Sequence, residues 1–408
     1  MTSQRRQFLR LCGAVGIGAL AGCTDTSTES PTGTAETTAT GTTTQETTPD
    51  PAPQWNRTYG TGDGNDALFG AAEGIDGGHF VVGGSTAATG GEEFDEWAVK
   101  LDSEGETEWD RVSTDDEGTN FLSSATAVSD GYVVGGFSSD QETVYDARLR
   151  KFGPDGEDLW NRTFERHQGF TVLPAADDGY VVAGAVIKQD PDAWLQAVNS
   201  DGSDRWSETI DDGGNEVILG GERVDDGYLF SGYSTTGDTT RGYLLKVDAR
   251  GSKRWSETFT VDGNAELNDV VAVDDGYVAV GFTYEGAEDG RTGDTGFAVK
   301  VDDDGSEQWS TTIDASDGGR LEGIARGSDD NLYAAGDRGA DTVESSDSGW
   351  VVELDSGGSE VDSTVYGDEE YHILTDVHST ADGAYLLPGE GSPSGQAHSD
   401  GWVVKATD

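Results

Sequence analysis

Asp130-Gly131-Tyr132-Val133-Val134-Gly135-Gly136 is the stretch from which the rest of this chain can be read. A turn pair opens it, a short apolar run follows, and glycine closes it. The pattern has seven copies, beginning at Asp76, Asp130, Asp178, Asp226, Asp275, Asp330 and Asp382. They close at Gly84, Gly136, Gly184, Gly232, Gly281, Gly336 and Gly389, so the period runs from 48 to 55 residues. A repeat of that length marks a solenoid, a propeller or an array, in which each copy buries its apolar face against its neighbours.

Each copy reads as four strands, A to D. Strand A carries an apolar residue eight positions before the turn aspartate: Leu68, Leu122, Phe170, Ile218, Leu267 and Leu374. The sixth copy has Glu322 there with Leu321 beside it, a slip of one residue. Strand B is the apolar run, whose Tyr and Val suit a pleated sheet buried on both faces. Strand C opens on an aromatic residue in six of seven copies (Trp97, Trp194, Tyr243, Phe297, Trp350 and Trp402), which predicts a repeated packing role. It ends in a turn such as Asp102-Ser103-Glu104-Gly105, a hairpin signal. Strand D then brings a second tryptophan, at 109, 160, 206, 255 and 309.

The strand count predicts closure. The last copy reaches only strand C, from Trp402, while Gln54-Trp55-Asn56-Arg57-Thr58-Tyr59 matches Leu159-Trp160-Asn161-Arg162-Thr163-Phe164 as a strand D without its A, B and C. Together they make one complete blade, whereas a solenoid would be capped. Residues 54–408 are therefore expected to form an all-β, seven-bladed propeller of four-stranded antiparallel blades. The N-terminal strand completes the last blade, strand A lines the axis and strand D lies outermost.

The unit D-G-Y-V-V-G-G followed by W-A-V-K-L-D-S-E-G-E-T-E-W (Trp97–Trp109) resembles the repeats of quinoprotein-like (PQQ-type) β-propellers and their relatives among exported prokaryotic lipoproteins. The likeness covers residues 54–408. The strand C–D segment resembles the tryptophan-docking motif of that family, with a turn one residue shorter. The Asp-box of sialidase propellers is similar too, although there glycine and tryptophan stand one residue closer. The dipeptide of WD-repeat propellers does not recur, since Trp109-Asp110 stands alone.

Ahead of the repeats, Arg5-Arg6-Gln7-Phe8-Leu9-Arg10 resembles a twin-arginine export signal, with Gln4 before the arginine pair. A short apolar segment follows and ends in Leu20-Ala21-Gly22-Cys23, which looks like a lipobox. Residues 1–23 are thus expected to be a lipoprotein signal peptide, removed to leave Cys23 lipidated. The segment is too short to span a bilayer, which takes about 20 apolar residues. Residues 24–53 are rich in Thr, Ser, Glu and Pro, lack aromatic residues, and are expected to be a disordered stalk. Cys12 and Cys23 are the only cysteines, so the ring carries neither disulfide nor thiol.

Asp and Glu number 79 against 25 Lys and Arg, a formal net charge of −54, and the acidic residues run through every repeat. Such a surface repels itself unless salt screens it, and it disfavours nucleic acid and anionic lipid as partners. The composition resembles secreted proteins of haloarchaea, and a high-salt environment is expected.

Little in the repeats demands catalysis. His372, Asp376 and His378 fall on strand A of the seventh blade, where even spacing would put them on one face. They are the metal-ligand candidates weighed against a wet channel wall. Glu266, Asn268 and Asp269 form the least ordinary axial group. The turn aspartates read as turn chemistry, and Asp302-Asp303-Asp304-Gly305 lacks the spaced ligands of a calcium loop. No cofactor is expected; Ca²⁺ and PQQ are the groups the family resemblance would imply. Asn56 and Asn161 head N-glycosylation triplets on strand D.

The expected protein is a monomer lipid-anchored to the outer face of the cytoplasmic membrane. It would bind a protein or glycan, without catalysis, through the long B–C loops of blades five to seven. The alternative is a quinoprotein-like or carbohydrate-active propeller enzyme with a site at the channel mouth.

Overall fold

The computed structural model describes residues 53–407 apart from 63, 88–92, 115–117, 140–144, 262, 287–291, 316–317, 329, 340–347, 368–370 and 393–397, together with the side chains of 292–293. Arg5, Arg6, Cys23, nearly all of the expected stalk and most of the long B–C loops lie outside the described residues.

Seven antiparallel sheets follow one another along the chain. Blade one comprises Asp66–Glu73, His79–Ser85, Asp95–Leu101 and Thr107–Ser113 as strands A to D, and blades two to six repeat the order. In blade seven, strand A is broken into His372–Leu374 and His378–Ser379; strand B is Ala384–Gly391 and strand C is Asp400–Thr407. Its fourth strand is Trp55–Tyr59, with Trp55 opposite Lys405 and Tyr59 opposite Gly401. Strand A of each blade packs against strand A of the next, and blade seven meets blade one, so the ring closes as the strand count predicts.

A bulge in strand A explains the closing glycine of the motif. In six blades the A–B register skips one residue: Phe69, Ser123, Phe170, Leu219, Asn268 and Glu322 are the extra ones. The bulge presses a strand A carbonyl onto strand B. A Cβ on Gly136, Gly232 or Gly281 would lie 1.9, 1.9 or 2.0 Å from the carbonyl oxygen of Phe121, Val217 or Glu266. Register corrects three sequence assignments. In blade three, Gly169 faces Gly184 and Phe170 is the bulge, so Gly169 holds the place that Leu68 and Leu122 take in blades one and two. Gly83, not Gly84, is the equivalent glycine of blade one, since it faces Leu68 and its Cβ would meet the Ala67 carbonyl. In blade six, Leu321 takes the buried apolar place and Glu322 is the bulge, because the A–B turn there is longer than in blades two, four and five.

Cores form between blades rather than within them. One cluster joins Val181 and Leu195 of blade three to Ile218, Tyr228 and Leu245 of blade four. The strand C aromatics reach backwards: Trp97 packs with Leu386 and Val403 of blade seven, and Trp194 with Leu149 of blade two. Burying one such side chain contributes about 1.5–3 kcal/mol.

Strand D tryptophans reach forwards. The indole N–H of Trp109 donates to Pro154 O at 2.9 Å, Trp160 to Ser200 O at 3.1 Å, Trp255 to Asp303 O at 2.9 Å and Trp309 to Ser356 O at 3.2 Å. Each acceptor belongs to the C–D turn of the next blade. The rings of Trp55, Trp109, Trp160, Trp206, Trp255 and Trp309 lie against Gly105, Gly156, Gly202, Gly251, Gly305 and Gly358, all with φ between 75° and 85°. Glycine is needed there both for the left-handed backbone and for the space.

The turn aspartate of the motif has a partner that the repeat alignment left unread. Strand C lysines 100, 151, 246, 300 and 405 are buried and pair with Asp76, Asp130, Asp226, Asp275 and Asp382, at 2.9, 2.7, 3.0, 2.5 and 2.8 Å. Five of the chain's seven lysines are used in this way. Blades three and six depart from the rule. Ala197 stands in the lysine position of blade three, where Asp178 accepts from Ser200 Oγ at 2.9 Å. Glu353 stands in that of blade six, where Asp330 pairs with Arg326 at 2.7 Å.

Gly281→Ala tests the bulge. The added methyl meets backbone, which cannot rotate away, so a loss of about 2–3 kcal/mol is expected in chemical denaturation. An unchanged midpoint would mean that the strand A carbonyl does not lie where the register puts it.

Candidate functional site

Strand A is the inner edge of every sheet, so its outward N–H groups have no strand to pair with. Side chains of the preceding blade satisfy several of them at the axis. The Ile324 N–H donates to Asp269 Oδ2 at 3.0 Å and the Val172 N–H to Ser124 Oγ at 3.2 Å. The Ala272 N–H donates to Glu222, and the Ala71 N–H to Asp376. Bulge residues add a second stitch, since Asn268 donates to Leu321 O at 3.0 Å and to Glu322 Oε2 at 2.8 Å and Ser123 to Phe170 O at 2.8 Å. In blade seven Thr375, at the strand A break, donates to Leu68 O at 2.7 Å.

This arrangement places Glu222, Asp269 and Asp376 around one narrow channel. Their carboxyl groups touch channel solvent yet are surrounded by protein, and the enclosure governs their charge. Burial pushes Asp376 up to about 6 against the pull of the Val377 and Ala71 N–H groups. Burial, then the neighbouring Asp376, raises Asp269 well above the usual carboxylate range. Burial raises Glu222 as well. The axis therefore holds carboxyl groups that bind protons more tightly than free carboxylates do. Such groups can donate a hydrogen bond, relay a proton, or exchange the proton for a cation.

Near the B–C loop end, strand A differs around the ring, with a buried apolar cluster on one side. Ala67, Phe69, Phe121, Phe170, Val217 and Leu219 of blades one to four form one apolar cluster. The matching strand A positions of blades five and six carry Glu266, Asn268, Arg320 and Glu322.

Of the candidate metal ligands, the structure separates His372 from the other two. Even spacing fails because strand A of blade seven breaks after Leu374, and the break exchanges the faces of the residues on either side. His372 is buried against Trp402, ring centroids 4.8 Å apart. Asp376 turns to the channel, and His378 is half-buried with its pKa lowered by burial against the opposing pull of Glu73. Among the described residues, the acidic or histidine groups close enough to share one cation are Asp192, Asp211 and Glu216. There Asp192 already pairs with Lys188, and Glu216 accepts from Ser234 Oγ at 2.9 Å and Gly214 N at 2.8 Å. Asn56 and Asn161 are both exposed on the outer wall. The Asn56 amide oxygen accepts from the Trp402 indole at 2.6 Å.

Sequence reasoning singled out Asp269 and Asp376 in separate groups but did not join them, and it passed over Glu222. Their signal was available: each is a carboxylate on the post-bulge half of strand A. The Asp269 position is Gly, Ser or Thr in blades one to four and six, and the Glu222 position is Ala, Thr, Leu or Val in blades one to three, five and six.

Fold and channel define a seven-bladed β-propeller. The WD40 β-propeller domain of Doa1 superposes with a TM-score of 0.53 at 11% identity, covering 87% of this chain and 97% of that one. A protein of unknown function from Dyadobacter fermentans superposes with a TM-score of 0.53 at 12% identity, covering 88% and 100%. No protein-family model matches the chain, and no curated protein matches it. At such identities the likeness is one of fold.

Asp376→Asn tests the axial electrostatics. A carboxyl whose folded pKa is raised stabilises below its unfolded value, near 4, and loses that contribution as pH rises through about 6. The amide should therefore raise stability at pH 7.5 by on the order of 1 kcal/mol and leave it unchanged near pH 4. Equal effects at both pH values would show that Asp376 ionises normally.

Proposed function

We propose that this chain is a non-catalytic binding or scaffolding lipoprotein, held on the outer face of the cytoplasmic membrane by Cys23 and adapted to high salt. Arg5 and Arg6 address it for export folded, and residues 24–53 hold the ring off the lipid. The observation that carries the reading is the division of labour along the repeat. Repeated tryptophans and the C–D turn glycines are spent on joining blades, while the lysine–aspartate pairs and closing glycines fix the blades internally. What varies between blades is the channel mouth and the B–C loops, the usual place for recognition on a rigid scaffold. At the B–C loop end, blades five and six carry polar strand A residues where blades one to four bury an apolar cluster. A polar, acidic rim suits a folded protein or a glycan and disfavours polyanions. Glycans on Asn56 and Asn161 would leave that mouth clear, since both sit on the outer wall.

A second reading has a specific observation behind it. Two neighbouring carboxyl groups with raised proton affinity, Asp269 and Asp376, are equipment that a carbohydrate-active enzyme could use. It predicts turnover of an oligosaccharide that Asp269→Asn abolishes.

The direct experiment is a crosslinking pull-down of the native protein from membranes held in multimolar salt. A stoichiometric protein or glycan partner, lost when the blade five to seven loops are exchanged for short turns, is the expected result. A clean pull-down from intact membranes would contradict the scaffold reading. Cys23→Ser should in parallel move the protein from the membrane fraction to the medium; unchanged membrane retention would refute the anchor.

A further inference from the structure

The joint between blades six and seven is built differently from the other six. Strands C and D of blade seven come from opposite ends of the sequence, so no tight C–D turn joins them for a tryptophan to dock on. Strand D of blade six correspondingly has Asp362 where blades four and five have Trp255 and Trp309, each opposite the same strand C position. That strand C position is Glu353 here and lysine in five other blades. The result is a cleft of about 60 Å³ lined by Tyr333, Tyr366, Tyr385, Glu353 and Asp362. The Tyr333 and Tyr385 rings are 4.4 Å apart, centroid to centroid.

The other joints show what such a wall holds. Between blades four and five, Lys246 Nζ lies 2.5 Å from the Tyr277 hydroxyl, 4.9 Å from its ring centroid and 3.0 Å from Asp226. Between blades two and three, Lys151 Nζ lies 5.9 Å from the Tyr180 ring centroid and 2.7 Å from Asp130. Tyr385 takes the place of Tyr277 at the start of strand B of blade seven, while the lysine that should face it has become a carboxylate. The seam keeps the aromatic wall, removes the ammonium group and adds negative charge.

We propose that the seam binds an alkylammonium group from outside the ring, which restores the charge that lysine supplies at five of the other six joints. Three tyrosine rings favour an organic cation over a hydrated metal ion, and two carboxylates supply the counter-charge. In multimolar salt, charges are screened beyond about 3 Å, so contact with ring faces matters more than long-range attraction. A free amine and a lysine side chain on a partner protein offer the same chemistry. The site is independent of the channel mouth, so it stands or falls apart from the scaffold reading.

The test uses the full chain in multimolar KCl, titrated with n-butylammonium chloride against an equal addition of KCl. A rise in thermal midpoint of about 2 °C specific to the amine is expected. Tyr385→Leu should weaken binding about tenfold, measured by tyrosine fluorescence. Glu353→Lys supplies the ammonium internally: it should raise the midpoint without amine and abolish the response to it. Far-ultraviolet circular dichroism verifies that each variant folds. If an Ala-Lys-Ala peptide binds tenfold tighter than the amine, a partner's lysine is the source; equal affinities assign the site to free amines. No amine-specific shift in the parent, or a Glu353→Lys variant that responds like the parent, overturns the proposal.

Discussion

The structure depends on one contact repeated around the ring, a strand D tryptophan laid on the glycine turn of the next blade. Each blade alone is a twisted four-stranded sheet with two apolar faces and an open edge on either side. Docking commits six of the seven blades to the next one, and an indole hydrogen bond to a turn carbonyl helps set the register of that commitment. The strand C aromatics pack backwards while the strand D tryptophans pack forwards, so each blade is gripped from both directions. A ring of this kind needs no disulfide, which matters for a chain whose cysteines both precede the folded part.

A second constraint follows from closure. Seven inner edges meet at the axis, and their backbone donors must be satisfied without water in abundance. The bulge in strand A and the carboxylates beyond it meet that need by reaching across to the next blade. Those same groups are then enclosed together, which raises their proton affinity. The axial chemistry of Asp269 and Asp376 is thus a by-product of edge management that any ligand entering the channel must confront. The buried lysine–aspartate pairs at the turn end meet a related need, since they place most of the chain's few ammonium groups where they hold a turn against strand C.

Much of this was legible in the sequence, and the limits have physical causes. The seven glycines, the strand order and the closing pairing of Trp55–Tyr59 with Asp400–Thr407 follow from periodicity and from counting strands. The tryptophans were readable as packing residues, though not their direction of docking, which depends on three-dimensional neighbours. The bulge was invisible because it shifts register by one residue without changing composition. A break in strand A hides in the same way, which is why His372, Asp376 and His378 look like one face in the sequence. The place of Gly83 beside Gly84 depends instead on the longer A–B turn of blade one. The seam could be read only in part. Glu353 and Asp362 stand out once the repeats are aligned, but their meaning comes from the absence of a turn between strands at opposite ends of the chain.

If six joints are locked by tryptophan and one is not, the ring should open at the seam between blades six and seven. Native-state hydrogen exchange measures this directly. The strand D amides of blade six, Glu360–Tyr366, should exchange well before those of blade five, Glu307–Ile313, by sub-global opening. Added n-butylammonium should slow the former and leave the latter unchanged. Uniform protection around the ring, or first opening at a tryptophan-locked joint, would contradict the account.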